Sequence, residues 1–190
     1  MPAIPPDATL PDLLQRGLTV AFVNINPSVY SVERGHYFAR RSNKFWPCVS
    51  RSVLTLAMRE TLGLDVLGPE HDVLLPRFGI GFTDLVKRAT PRASDVTPAE
   101  FAAGVDALLR KLARVQPRVA CFHGMTGYRP VHRALLGGEP PRALGLQPLR
   151  LGPARVFVVP NPSGANAHYT RAEQTAWYDA LAAEAAQPTA

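Results

Sequence analysis

The stretch "VAFVNINPSVYS", residues 20–31, is an apolar run that stops abruptly at two asparagines and a proline. Its first half has no polar alternation, which suits a strand covered on both faces rather than one half-exposed to water. Its second half places amides and a turn-forming Asn-Pro where that strand should end. Three other runs have the same continuous apolar character: "GIGFTDL" (79–85), "RVACFHG" (118–124) and "RVFVVPN" (155–161). With "LTVAFVN" (18–24) they predict four buried strands, and Leu149–Leu151 predicts an edge strand reaching residues 155–160 by a hairpin.

Helical patterns lie between these runs. One spans about Asn43 to Glu60. A second opens with "TPAE", where Thr97 caps, Pro98 takes the first helical position and Glu100 closes a capping box. A third begins near Met125. The last opens with "TRAE", with Thr170 and Glu173 in the capping roles. Strands alternating with helices predict an α/β fold with a mainly parallel sheet, here as one domain over 1–190, with about 1–10 and 186–190 frayed. Ligands of such sheets bind beyond the carboxyl ends of the strands. That singles out the loops "NINPSVYS", "TDLVKRATPRAS", "HGMTGYR" and "NPSGANAHY".

Composition narrows the partner. The chain has 190 residues, 21 basic and 15 acidic, for a net charge of +6; 18 of the basic residues are arginine. A basic excess also serves solubility, but its distribution points to a polyanion. Arg34, Arg40, Arg41, Lys44 and Arg51 follow one strand with only Glu33 nearby, and Lys87, Arg88 and Arg92 follow another. No apolar run is long enough to span a membrane, and no secretory signal opens the chain. Cys48 and Cys121 are read as buried thiols, and the five histidines show no ligand spacing, so no metal and no cofactor is expected. The expected location is cytoplasmic, associated with the nucleoid, and the expected state a monomer.

Two loops repeat "NPS", at 26–28 and 161–163. Amides facing each other there suit a neutral, amide-bearing ligand better than a phosphate. There is no Walker pattern, no nucleophilic serine elbow, and "GIG" at 79–81 lacks the third glycine of a dinucleotide site.

"NINPSVYSVERGHYFARRSNKFW" resembles the first motif of the mismatch-specific uracil-DNA and thymine-DNA glycosylases, "NPSGANAHY" resembles their second, and "GIGFTDLVKRATPRASDV" matches the segment between. The resemblance covers roughly residues 18 to 180. It implies a three-layer α/β/α sandwich, uracil-DNA glycosylase-like, and hydrolysis of the N-glycosidic bond of a base flipped from double-stranded DNA, chiefly uracil mispaired with guanine. By the same resemblance Asn26 positions the attacking water, Phe38 stacks on the base, Ser31 is a polar group near it, and Asn161 holds the sugar side. Asn43, Phe45 and Trp46 are structural. Arg40, Arg41, Lys44, Lys87 and Arg88 would meet phosphates, and Ser163, Gly164, Ala165, Asn166 and His168 would lie along the DNA.

This sequence departs from that pattern at Asn24, Ser28, Ala165 and Asp84. Asn24 and Ser28 replace glycines and add hydrogen-bonding groups near the pocket floor. Ala165 stands where the family has a wedging leucine, so the wedge is weaker unless His168 or Tyr169 fills the gap. Asp84, directly after a strand, is a carboxylate able to stabilise charge on C1′ and take a proton from water, which Asn26 cannot do. Asp95 is the second such carboxylate. Two other readings stand beside this one: a lesion-binding module of the same fold without turnover, and an enzyme of free nucleosides.

Overall fold

A computed structural model describes Pro5 and residues 8–188 of the chain. Five strands form one sheet in the order β2-β1-β3-β5-β4. These are β1 (Val20–Asn24), β2 (Ile80–Asp84), β3 (Val119–His123), β4 (Gly145–Leu151) and β5 (Ala154–Val159). The first four neighbours run parallel, and β4 closes one edge antiparallel to β5. The four predicted buried strands are all present, each one or two residues shorter than expected, and β5 begins one residue earlier, at Ala154. The hairpin strand is longer than Leu149–Leu151 and alternates buried with exposed residues, as an edge strand with one wet face does.

The sheet is buried on both sides because its side chains feed two cores. Val20, Phe22, Ile80, Phe82, Val119 and Cys121 pack against Phe45, Trp46, Tyr178 and Leu181. Ala21, Val23, Ala120, Phe122, Val156 and Val158 pack against Val105, Leu108, Leu112, Tyr128 and Val131 on the opposite face. The first group of helices is α1 (Val29–Arg34), α2 (Phe45–Val49), α3 (Leu56–Leu62) and α6 (Arg171–Ala186). The second is α4 (Pro98–Val115) and α5 (Met125–Leu136). This is the three-layer α/β/α sandwich. Both capping boxes form: Thr97 accepts from the Glu100 amide, and Thr170 from that of Glu173.

The single helix expected over Asn43–Glu60 is instead broken. Ser50 Oγ donates to the Trp46 carbonyl and accepts from the Leu67 amide, while Ser52 Oγ caps Leu54 and donates to Asp179 of α6. Side chains that bond to nearby backbone compete with the helix ladder, and here two in three residues end α2 before α3 begins. Most of the segment expected to fray, 1–10, lies outside the described residues. Leu10 is 1% exposed, and Leu13 exchanges both backbone bonds with Phe82, covering the free edge of β2. Residues 1–4, 6, 7, 189 and 190 lie outside the described residues. Cys48 and Cys121 are both free and buried. Among the described residues no helix is long and apolar enough to cross a membrane, and no cluster of potential metal ligands occurs.

The chain leaves β1 toward β2 on one side and returns to β3 on the other. The carboxyl end of β1 is therefore the topological switch point, where a parallel sheet opens a crevice.

Candidate active site

A cleft of about 410 Å³ opens at that switch point, lined by Asn24, Asn26, Ser28, Ser31, Phe38 and Asp84 among others. A smaller hollow of about 200 Å³ shares Asn24, Asn26, Ser28 and Phe38 with it and adds His123 and Asn161. Both Asn-Pro-Ser triplets contribute to these walls.

The loops are held in place by backbone bonds. After the paired ends of β1 and β2, the amides of Leu85, Val86 and Thr90 donate to the carbonyls of Asn24, Ile25 and Pro27. The 84–90 loop therefore tracks the 24–27 loop. Asn26 is fixed between them. Its Nδ2 donates to the Arg88 carbonyl at 2.9 Å and to Thr90 Oγ1 at 2.7 Å, with the Pro27 carbonyl at 3.2 Å. Thr90 Oγ1 spends its own proton on the Arg92 carbonyl, so it can only accept from Asn26. The amide is thereby clamped by its nitrogen, and no hydrogen bond within the described residues uses Oδ1. An acceptor oxygen held this way is suited to a water molecule.

Phe38 supplies the flat wall. Its φ of +54° is a left-handed conformation that bulky side chains rarely adopt. The strain is held by packing: the ring stacks on Phe45 at 4.3 Å and meets Phe82 edge-on at 5.8 Å. One face is covered, and the half-buried residue lines both hollows. Asn43 Oδ1 caps the Phe45 amide at 2.8 Å, and Phe45 and Trp46 are core residues, as their motif suggested.

Asp84 ends β2 opposite Asn24 and is 1% exposed. Tyr37 Oη donates to its Oδ2 at 3.1 Å, and Lys87 Nζ lies 3.5 Å away. Oδ1 is buried with no partner among the described residues. Burial raises the carboxyl pKa to about 6, against the opposing pull of Lys87 and the Tyr37 hydroxyl. Asp95, the second carboxylate considered, accepts from the Arg92 amide and pairs with its guanidinium, and it does not line the cleft.

On the remaining walls, Ser28 caps α1, and its Oγ donates to Ser31 Oγ at 3.0 Å. Asn161 Oδ1 accepts from the Ser163 amide, and Asn166 Nδ2 donates to the Asn161 carbonyl, which rounds off the second loop. Gly164 and Ala165 line the cleft. A Cβ on Gly164 would meet the Ser42 carbonyl at 2.5 Å, so the loop lies directly on the 40–44 segment. Ala165 and His168 are exposed, and no large side chain stands at position 165.

Three of the five cations expected at phosphates have partners inside the chain. Lys44 Nζ donates to the carbonyls of Asn166 and Tyr169, both at 2.6 Å, and so ties down the second loop. Lys87 is held by the Leu10 carbonyl, Asp12 and Asp84. Arg88 forks onto Glu100, whose carboxyl pKa it brings down to about 2 with help from Thr97. Arg40 and Arg41, with Arg34, make no ion pair among the described residues. Arg34 and Arg40 lie over the Tyr30 ring at 5.3 and 5.1 Å. Of the five, the cations with neither an ion pair nor a side-chain hydrogen bond among the described residues are therefore Arg40, which lines the cleft, and its neighbour Arg41.

Sequence reasoning missed Thr90, Tyr37 and His123. Nothing local marks the first or last. Tyr37 adjoins Phe38 in its motif, but only the fold brings its hydroxyl to Asp84.

These features define a class: a three-layer α/β/α domain whose switch-point crevice holds an oriented amide, an aromatic platform and a buried carboxylate beneath a basic rim. The chain belongs to the uracil DNA glycosylase superfamily, whose family model matches residues 11–185. It is 31% identical over 172 residues to the G/U mismatch-specific uracil DNA glycosylase of Schizosaccharomyces pombe, covering 88% of this chain and 51% of that protein. The chain thus spans about half the length of that relative. A uracil-DNA-glycosylase-like protein from Methanosarcina acetivorans, solved by NMR, shares the fold with a TM-score of 0.56 at 20% identity, over 94% of this chain and 98% of that one.

Proposed function

We propose that this chain is a monofunctional DNA glycosylase that hydrolyses the N-glycosidic bond of uracil everted from duplex DNA, chiefly from G·U pairs. The observation that carries this reading is the clamped amide of Asn26, which leaves Oδ1 to hold a water in a hollow shared with Phe38 and Asp84. A module that only bound lesions would need no such orientation.

The base stacks on Phe38 and the sugar lies toward Asn26. The C1′–N1 bond breaks with its electron pair going to the base, which leaves as an anion. Water held by Asn26 bonds to C1′, and its proton passes to Asp84, whose pKa of about 6 suits an acceptor near neutral pH. Asp84 in its ionised form also stabilises the positive charge on the sugar. A lyase step would need an amine in the cleft, and none of the three lysines lines it; Lys111, the third, is held by Asp12 and Thr83.

Small Ala165 makes eversion depend on weak pairing, since unstacking costs a few kcal/mol. The test is base release from duplexes carrying G·U, A·U or G·T, from single-stranded uracil DNA and from free deoxyuridine. Release that is fastest from G·U and absent from the free nucleoside supports the proposal. No release from any DNA would leave a binding module, and release from deoxyuridine alone a nucleoside enzyme.

A further inference from the structure

A second polar chain lies beneath the cleft, and the mechanism above does not use it. Asp84, Asn24 and His123 end three neighbouring strands, β2, β1 and β3. His123 is 5% exposed and stacks on Phe22 at 4.9 Å. Its Nδ1 lies 3.1 Å from Asn24 Oδ1, and its Nε2 lies 3.2 Å from the hydroxyl of Tyr178 on α6. Asn24 Nδ2 faces the Thr83 carbonyl at 3.5 Å, which only the amide nitrogen can do without repulsion. That fixes the whole chain. Asn24 Oδ1 accepts from Nδ1–H, and Nε2 accepts from Tyr178. Burial keeps the imidazole neutral, with a pKa of about 3.

The amide of Asn24 is therefore as firmly oriented as that of Asn26, but with the opposite end committed. Its oxygen is used. Its nitrogen has two hydrogens and one long contact, so donor capacity remains on a residue that lines both hollows. A buried donor short of partners disfavours any ligand that cannot accept from it. Of the groups on a pyrimidine, the carbonyl oxygens of uracil accept, whereas the amino group of cytosine donates.

We infer that Asn24 is a specificity-determining residue: its side-chain amide, held by His123 and Tyr178, donates a hydrogen bond to an exocyclic carbonyl oxygen of the everted base. The inference rests on the glycosylase reading above. Glycine at this position, as in the first motif of the family this sequence resembles, offers no such donor.

The test compares wild type, Asn24→Gly and Tyr178→Phe on duplexes holding uracil, 2-thiouracil or 4-thiouracil opposite guanine, by single-turnover base release. Sulfur accepts hydrogen bonds weakly. A donor aimed at one oxygen therefore loses its worth when sulfur replaces that oxygen, and taking variant-to-wild-type ratios for each base removes the differences in leaving group. Asn24→Gly should slow uracil release about tenfold. It should slow one of the two thio bases by no more than about twofold, identifying the carbonyl that is read. Tyr178→Phe, which loosens His123 but keeps the amide, should show the same pattern with smaller amplitude. It serves as the test if Asn24→Gly fails to fold. Equal slowing on all three bases, or slowing on none, would overturn the inference. Wild type that released no base from any duplex would remove the glycosylase reading first, and this inference with it.

Discussion

Asn26 and Asp84 hold different parts of the proposed reaction, and single substitutions should separate them. Asn26→Ala removes one hydrogen bond to water and should slow single-turnover release about tenfold. Asp84→Asn removes the proton acceptor and should slow it about 10²–10³-fold. Activity retained in Asp84→Asn would instead place the carboxylate on the N3–H edge of the base, where an amide can substitute. In the proposed reaction the ionised carboxylate is the active form, so the wild-type rate should climb as pH rises through about 6 and level off above it. Asp84→Asn should lose that limb. Stability follows the opposite sign. Because folding raises this pKa from 3.8 to about 6, the folded state holds the proton more tightly, and stability falls as pH rises through that window. Asp84→Asn should therefore raise Tm more at pH 7.5 than at pH 4.5. That Asn26, Phe38 and Asp84 line the cleft was legible because each sits in a short motif or at the end of a strand. Thr90, which accepts from Asn26 across 64 residues, was not, because a hydroxyl in a loop has no sequence signal until the loop is folded.

At the scale of elements, the sequence rules worked where one local interaction decides the outcome. Thr97 and Thr170 cap as their spacing requires, and the apolar runs become strands. They failed between Asn43 and Glu60, where buried Ser50 and Ser52 find partners in the 67 region and in α6 and so break a helix that periodicity favoured. Lys44 shows the same limit: its charge read as a phosphate contact, but its ammonium fastens the loop after β5. Lys44→Met should speed amide hydrogen exchange over residues 161–170 and weaken DNA binding while leaving the salt dependence of that binding unchanged. A flattened salt dependence would restore Lys44 to the phosphate contacts.

Across the whole molecule, the net charge of +6 is legible from composition, but which part of it faces outward is not. Pairing decides that. Among the cations of the loops around the cleft, Lys44, Lys87 and Arg88 have internal partners, whereas Arg34, Arg40 and Arg41 make no ion pair among the described residues. Removing one cation from a phosphate should lower the slope of log affinity against log salt by about 0.9. Arg40→Ala and Arg41→Ala should each show such a drop, and Arg88→Ala should not. An equal drop for all three would mean that the Glu100 pair opens on DNA. Catalysis by the switch-point crevice is put to the question most simply by uracil release from a G·U duplex, with wild type beside the double variant Asn26→Ala/Asp84→Asn. Wild type should release the base, and the double variant should lose nearly all of that activity while still binding the duplex. Undiminished release by the double variant would contradict the proposed function of both residues.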